Sequence, residues 1–183
     1  GREGGPSIKG GKLSRCEAGD RAVAVGGAVD GRIVDDYELA VGREVDVDAL
    51  RRVVRHVVDG GVHGIMTTGG TGEFPHLSRD ERRLVTAAVV SETLAVLKDA
   101  GAKPFIVPAM GSHGGATPEG QIQILSEYGV TEASMGVPFR AGMDTVSLGR
   151  TEDGVDVRFS REALDSDGIV VIKAQTSRSL EQN

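Results

Sequence analysis

Two segments of the chain repeat the same order of a short apolar run, a glycine-rich turn and a helical pattern. The first apolar run covers residues 64–68 and turns at residues 69–72, and the second covers residues 105–110 and turns at residues 111–115. Short apolar runs that alternate with helical patterns are typical of parallel strands covered by helices. We therefore predict an α/β fold in which parallel-sheet layers pack against helices.

Three helices are predicted from their start signals. Asp46 and Asp48 both lie where a helix N-cap belongs, beside apolar residues at helical spacing, and either is suited to cap the first helix. Ser78, followed three residues later by Glu81, predicts a capping box for a second helix that continues to about residue 100. Thr117 and Pro118 are suited to the cap and the first position of the third helix.

The rest of the chain adds shorter elements. Further strands are predicted at residues 22–25, 145–148, 155–159 and 169–172, with a hairpin turn at residues 152–154. A short element is also predicted at residues 32–41. We expect residues 1–20 to form a flexible leader and the polar tail from Ala174 to lack regular structure.

Composition excludes several classes of protein. Of the 183 residues, 39% are hydrophobic and 26% are charged, so the chain can build a core. The net charge of −6 comes from dispersed acidic residues, which argues against a nucleic-acid partner. No apolar run approaches the roughly 18 to 20 residues of a membrane span. Cys16 is the single cysteine and no signal peptide is visible, so we expect a cytoplasmic protein without a membrane partner.

The first glycine turn carries a resemblance to a known family. Residues 60–64 read Gly-Gly-Val-His-Gly, residues 69–74 read Gly-Gly-Thr-Gly-Glu-Phe, and residues 77–78 read Leu-Ser. Together with their flanks (residues 43–93), they resemble the N-terminal part of the dihydrodipicolinate synthase and N-acetylneuraminate lyase family. That family is a TIM barrel of class I aldolases and dehydratases that needs no cofactor.

The resemblance implies roles for residues of the turn. In that family a lysine on a later strand forms a Schiff base with a 2-oxo acid such as pyruvate, and the glycine-rich loop binds the acid's carboxylate. Carried over by position, Gly70, Thr71 and Gly72 are the candidate carboxylate contacts. Backbone amides and a threonine hydroxyl at the end of a strand suit an anion. Lys173, which follows the apolar run at residues 169–172, is the candidate Schiff-base lysine.

The second glycine turn carries a different resemblance. Residues 108–115 read Pro-Ala-Met-Gly-Ser-His-Gly-Gly, and with residues 148–154 and 167–172 they resemble the N-terminal domain of the nickel-dependent lactate racemase family. That resemblance covers residues 96–172 and implies a Rossmann-like domain. It also implies a nickel-pincer nucleotide as hydride acceptor and His113 as the acid–base residue acting on a small 2-hydroxy acid.

Residues around His113 are candidate anion contacts. Ser112, Gly114, Gly115 and Thr117 lie at the predicted start of a helix, where unpaired amides and the helix dipole favour an anion. A plain structural turn is the alternative interpretation for these residues. For His113 itself, the alternative is a polar turn residue without a chemical role.

The two resemblances divide the chain into three segments. Residues 1–42 are a leader without an assignment, residues 43–95 an aldolase-like partial TIM-barrel segment, and residues 96–183 a racemase-like partial Rossmann segment. The racemase interpretation is our main prediction because its segment is longer. The alternatives are a class I aldolase or dehydratase acting on a 2-oxo acid, or an inactive partial α/β module. We expect the 183 residues alone to lack turnover.

Overall fold

The computed structural model describes residues 20–25, 44–69 and 77–174, and of residues 20–25 it describes the backbone. Its elements, in chain order, are β1 (Asp20–Val25), α1 (Val47–Asp59), β2 (Gly64–Thr67), α2 (Arg79–Asp99), β3 (Lys103–Pro108), α3 (Pro118–Glu127), α4 (Glu132–Met135), β4 (Thr145–Arg150), β5 (Asp156–Ser160), α5 (Arg161–Leu164) and β6 (Gly168–Ala174). The predicted leader before β1, the element at residues 32–41 and the tail beyond Ala174 lie outside the described residues.

Local capping explains where the three longer helices begin. The Asp46 carboxylate accepts a hydrogen bond from the Ala49 amide at 2.8 Å and caps α1. Ser78 and Glu81 form a reciprocal capping box at the start of α2, and Pro118 occupies the first turn of α3. The predicted starts of these helices are confirmed. Each cap satisfies amides that the first helical turn leaves without a partner.

Four strands form one parallel sheet in the order β2-β6-β1-β3. β1 pairs with β3 and with β6, and β6 pairs with β2 on its other side. The parallel sheet and its helices confirm the predicted α/β class. β2 and β3 are successive in the sequence but lie at opposite margins of the sheet, with β6 and β1 between them.

Two strand boundaries differ from their predicted positions. β3 ends at Pro108, two residues before the predicted end, because the Met110 carbonyl already accepts a hydrogen bond from the His113 amide in the following turn. β6 continues to Ala174, where the tail was predicted to begin, because Ala174 pairs in register with Thr67 of β2. Partners distant in sequence thus extend β6 beyond its apolar run.

The helices cover the two faces of the sheet unequally. One face contributes Ile106, Val170 and Ile172 to the main core, which also contains apolar residues of α1, α2, α3 and α4. On the opposite face a smaller cluster joins Phe105 and Val107 to Ala163 of α5. β4 and β5 form a separate antiparallel hairpin. No helix in the described part of the chain is long and apolar enough to cross a membrane.

Candidate active site at the carboxyl edge of the sheet

Both glycine turns lie at the same edge of the sheet. All four strands are parallel, so their carboxyl ends share one edge, which is where open α/β sheets bind ligands. The turns follow β2 and β3, which occupy the two margins of the sheet. Three strand spacings of about 4.8 Å separate the margins, so the turns begin about 14 Å apart. They therefore cannot contact one small acid together.

The turn after β2 begins with buried threonines. Thr67 and Thr68 are each 5% exposed, and Gly69 is also buried. Thr68 adopts a φ of 56°, a left-handed conformation that is uncommon for a residue with a β-branched side chain. The Thr67 hydroxyl is buried and has no hydrogen-bond partner among the residues that the structure describes. The candidate carboxylate contacts Gly70, Thr71 and Gly72 follow directly and lie outside the described residues.

The turn after β3 fixes the orientation of His113. The imidazole Nδ1 lies 2.6 Å from the Met110 carbonyl oxygen, and the His113 amide donates to the same oxygen at 3.2 Å. A carbonyl oxygen only accepts hydrogen bonds, so Nδ1 carries a proton in this arrangement. The exposed ring therefore presents Nε2 to solvent. That nitrogen is the one able to exchange a proton with a ligand.

Gly114, directly after His113, allows two backbone segments to approach closely. Gly114 and Gly115 have φ values of 64° and 67°. A Cβ added at Gly120 in α3 would lie 2.0 Å from the Gly114 oxygen. The Thr117 hydroxyl accepts from the Gly120 amide at 3.1 Å and donates to the Gly114 carbonyl at 3.0 Å. These contacts favour the alternative interpretation of a structural turn, because the Thr117 hydroxyl is already used within the protein.

Ser112 and Gln121 complete this turn. Ser112 is exposed, and its side chain makes no capping hydrogen bond. The buried Gln121 side chain donates from Nε2 to the Gly111 carbonyl at 2.9 Å and ties the turn to α3. Gln121 is not predicted from the sequence, because a glutamine at the fourth position of a helix gives no signal that would reveal such a contact.

Lys173 lies beside the turn after β2. It is paired in register with Met66 across the β2–β6 pair. The residue is half-buried, and its ammonium group has no hydrogen-bond or ion-pair partner among the residues that the structure describes. The structure thus brings Lys173 to the strand that leads into residues 69–72, whereas β1 separates it from the strand that leads to His113.

The described residues do not fit a nickel site. They contain no group of three or more His, Cys, Asp and Glu side chains able to hold a metal ion. The Nδ1 atom of His113 is hydrogen-bonded to the Met110 carbonyl oxygen, and Nε2 faces solvent. The described part of the chain therefore has no set of donor atoms for the nickel of a pincer nucleotide.

Comparison with known protein families finds a match to about a third of the chain. Residues 40–104 match the Dihydrodipicolinate synthetase family. The match contains the whole of β2, the turn that follows it and α2. It covers the whole segment, residues 43–93, that resembles this family, and it supports that resemblance.

Curated relatives agree with the family match. A 4-hydroxy-tetrahydrodipicolinate synthase of Thermotoga neapolitana is 41% identical over 66 residues, which are 36% of this chain and 20% of the relative. An uncharacterized DapA-like lyase of Halobacterium salinarum is 48% identical over 48 residues, 26% of this chain and 16% of the relative. A synthase of Methanospirillum hungatei is 31% identical over 81 residues, 44% of this chain and 25% of the relative. The chain thus spans a quarter or less of the length of these relatives.

A crystal structure of a dihydrodipicolinate synthase is similar to this chain at a TM-score of 0.27 and 21% sequence identity, covering 65% of this chain and 44% of that chain.

The predicted lactate racemase function is wrong. The family match and the relatives described above are dihydrodipicolinate synthases or DapA-like lyases, which corresponds to the alternative prediction. One structural fact bears on the error. Gly114 in the turn after His113 serves the close approach to α3, so this glycine has a structural role that needs no ligand.

Proposed function

We propose that this chain supplies the Schiff-base lysine and the carboxylate-binding turn of a dihydrodipicolinate synthase-like class I aldolase or lyase. The lysine is Lys173, the turn comprises Gly70, Thr71 and Gly72, and the substrate is a 2-oxo acid. The observation that carries the proposal is the register of β2 and β6, which pairs Lys173 with Met66 only three residues before Gly69.

The surroundings of Lys173 support its role as a nucleophile. Lys98 in α2 donates to the carbonyl oxygens of Met135 and Gly136 at 3.2 and 3.1 Å and serves the fold. Lys173 makes no such contact with any described residue, so none of them holds its nitrogen. A half-buried amine at the carboxyl edge of a parallel sheet is also well placed to meet a ligand.

The chemistry follows from the amine and the turn. The Lys173 nitrogen attacks the C2 carbonyl carbon of the acid, and the carbonyl oxygen leaves as water after two proton transfers, which gives an iminium ion. The iminium ion withdraws electrons from C3, so a proton can leave C3 and the resulting enamine can attack a second carbonyl compound. The amides of residues 70–72 and the Thr71 hydroxyl hold the carboxylate throughout.

The second turn has no step in this reaction. His113, Ser112, Gly114, Gly115 and Thr117 follow β3, which is separated from β6 by β1. Two strand spacings amount to about 10 Å, which is too far for direct proton transfer to the Lys173 nitrogen without intervening groups. We therefore expect substitution of His113 to leave Schiff-base formation unchanged.

Reductive trapping tests the proposal. Pyruvate and sodium borohydride are added to the protein, and tryptic peptides are analysed by mass spectrometry for a reduced pyruvate adduct. We expect the adduct on Lys173 and none on Lys103, an exposed lysine at the opposite, amino edge of the sheet. Lys173→Met should abolish the adduct, whereas Lys103→Met should leave it unchanged.

Two outcomes would contradict the proposal. Equal labelling of Lys103 and Lys173 would show ordinary amine reactivity rather than a site. Absence of any adduct at saturating pyruvate, in a protein that still melts cooperatively, would favour the alternative of an inactive α/β module.

A further inference from the structure

Strand β5 of the hairpin has one polar and one apolar face, and both are exposed. On the polar face the Asp156 carboxylate accepts a hydrogen bond from Ser147 and forms an ion pair with Arg158 at 3.0 Å. Successive side chains of a strand point to opposite faces, so Val157 and Phe159 lie on the other face. These two apolar side chains are 41% and 37% exposed. β5 therefore lies at the surface of the protein.

The outer edge of β5 is unpaired in the part of the chain that the structure describes, where β5 pairs with β4 alone. Just before the strand, the Val155 carbonyl accepts a hydrogen bond from the Thr151 amide at 2.9 Å. Just after it, the Arg161 amide donates to the Asp144 carbonyl at 3.0 Å. Backbone groups alternate sides along a strand, so the odd-numbered residues direct theirs towards β4. The N–H and C=O groups of residues 156 and 158 therefore point away from β4.

The outer edge of β4 is irregular by contrast. Its register with β5 shifts between Ser147 and Gly149, so Leu148 is an extra residue of β4. Gly149 also adopts a φ of 125°. A bulge of this kind twists an edge away from further pairing. β5 carries no bulge, so it is the strand of this hairpin that can accept another strand.

The sequence of β5 is complementary to itself when two copies run antiparallel. A two-fold axis through Val157 places Asp156 of each copy opposite Arg158 of the other copy. On the apolar face it places Val155 of each copy opposite Phe159 of the other. Opposite charges, and an aromatic ring beside a β-branched residue, are favourable cross-strand pairs. An axis through Asp156 or through Arg158 would instead place two like charges directly opposite each other, which is unfavourable.

The backbone and the existing ion pair fit the same register. Residues 156 and 158 of the two copies lie opposite each other, and their outward N–H and C=O groups can form four hydrogen bonds across the axis. On the polar face, Asp156 of each copy then lies between Arg158 of its own strand and Arg158 of the second copy. The four charges alternate in sign, so the ion pair within each strand need not break.

We propose that β5 pairs with β5 of a second copy of this chain across a two-fold axis through Val157. The two hairpins then form one four-stranded antiparallel sheet, and the contact closes at a dimer because each copy uses its own β5 edge. One pair of short strands buries less than the about 800 Å² per partner of a typical stable interface, so the dimer should dissociate on dilution. The proposal does not depend on the chemistry proposed for Lys173.

Sedimentation velocity of the whole chain over a series of concentrations tests the dimer. We expect a monomer–dimer equilibrium. Arg158→Glu should raise the dissociation constant at least about tenfold, because it places two carboxylates opposite each other at both charge pairs. Arg52→Glu makes the same change of charge on an exposed position of α1 and should leave the constant within about twofold. A chain that stays monomeric up to millimolar concentration would overturn the proposal and leave the edge to a different partner or to none.

A mixing experiment shows whether the partner is a second copy. Asp156→Arg and Arg158→Glu should each be mainly monomeric alone, because each variant has like charges opposite each other at both pairs. When the two variants are mixed, opposite charges meet again at both pairs, and a heterodimer should form. Thermal melting of each variant, followed by circular dichroism, checks that it is folded. Folded variants that do not form a heterodimer would contradict the proposed register.

Cysteine cross-linking tests the register with milder substitutions, in a chain with Cys16→Ser. Val157→Cys places the two cysteines opposite each other at the axis, with Cα atoms about 4.5 Å apart, a distance that a disulfide spans. Phe159→Cys places them four residues apart along the strands, about 14 Å, which is too far. We expect mild oxidation to link two copies of the first variant and not of the second. Equal cross-linking of both variants, or none of the first, would show that the proposal is wrong.

Discussion

The close approach of Gly114 and Gly120 predicts how much folding free energy an alanine costs at each position. That cost divides into a steric clash and a backbone penalty. Gly114 combines a left-handed backbone with a contact that leaves no room for a Cβ, since that atom would lie 2.3 Å from the Gly120 carbonyl carbon. Gly115 has the same kind of backbone, with φ at 67°, but open space around its Cβ position. Gly120 has the close contact without the left-handed backbone. Alanine at each position therefore tests a different combination of the two costs.

The expected losses of folding free energy differ accordingly. Gly115→Ala should cost about 1 kcal/mol, the lower end of the left-handed penalty for a residue with a Cβ. Gly120→Ala should cost about 2 kcal/mol, because a backbone clash of about 3 kcal/mol is offset by about 1 kcal/mol of improved helix propensity. Gly114→Ala should cost about 4 kcal/mol, the sum of both penalties.

Urea unfolding followed by circular dichroism measures these losses, and each kcal/mol corresponds to a fall of about 2–4 °C in Tm for a domain of this size. Because Gly114 and Gly120 share one contact, the double variant should lose less than the sum of the single losses. A neutral or stabilising Gly120→Ala would refute the close approach. Equal losses for Gly114→Ala and Gly115→Ala would refute the division into clash and backbone conformation.

Three further predictions concern stability. Ser78→Ala removes the capping box of α2 and should cost about 1 kcal/mol in thermal unfolding, whereas Ser78→Asp should retain most of it. Hydrogen bonds from Ser147 and then Arg158 hold the pKa of Asp156 below its usual value. The stabilisation that these hydrogen bonds give the folded protein is present above the pKa of about 4 that Asp156 has in the unfolded chain. It is lost as the pH falls through the lowered pKa of Asp156 in the folded protein. Ser147→Ala should therefore lower Tm at pH 7 and flatten its decline on acidification, and an unchanged decline would contradict this account. The Arg55 guanidinium in α1 forms ion pairs with the carboxylates of Glu92 and Asp99 in α2, with nitrogen–oxygen distances of 2.7 Å and 3.0 Å. Arg55→Met should lower Tm more in dilute buffer than in 1 M salt, where exposed ion pairs are screened, and a salt-independent loss would indicate packing instead.

The N-caps of the helices and the spacing of their apolar residues could be predicted from the sequence, because both depend on neighbours within about one helical turn. Ser78 and Glu81 are three residues apart, and Thr117 caps a helix whose first residue is Pro118. Such contacts need no knowledge of the rest of the fold. The same locality explains why β2 and β5 were found close to their predicted positions.

The order of the strands in the parallel sheet could not be predicted from the sequence. Met66 and Lys173 are more than one hundred residues apart in the chain, and their pairing depends on which apolar runs become neighbours in the sheet. An apolar run specifies a buried strand but not its partner. Lys173 was therefore predicted from its position after a strand, without the contact with β2 that now supports it.

The motif around His113 led the sequence analysis to the wrong family. Glycines in such a turn suit either ligand contacts or a structural turn, and Gly114 allows the backbone of α3 to approach. A close approach between two backbone segments is a property of the folded structure and leaves no periodic signal. The family match at residues 40–104 corrected the function and left the α/β class unchanged.

The central claim is that Lys173 lies beside the strand that leads into the proposed carboxylate-binding turn, and disulfide trapping tests it most directly. Cys16 is replaced by serine, and cysteines are introduced as Met66→Cys with Lys173→Cys. Paired Cα atoms on neighbouring strands fall within the roughly 4.4–6.8 Å that a disulfide spans. We predict that this pair cross-links under mild oxidation, while Ile65→Cys with Lys173→Cys, whose side chains point to opposite faces, does not. Equal cross-linking of both pairs, or none of the first pair, would contradict the account.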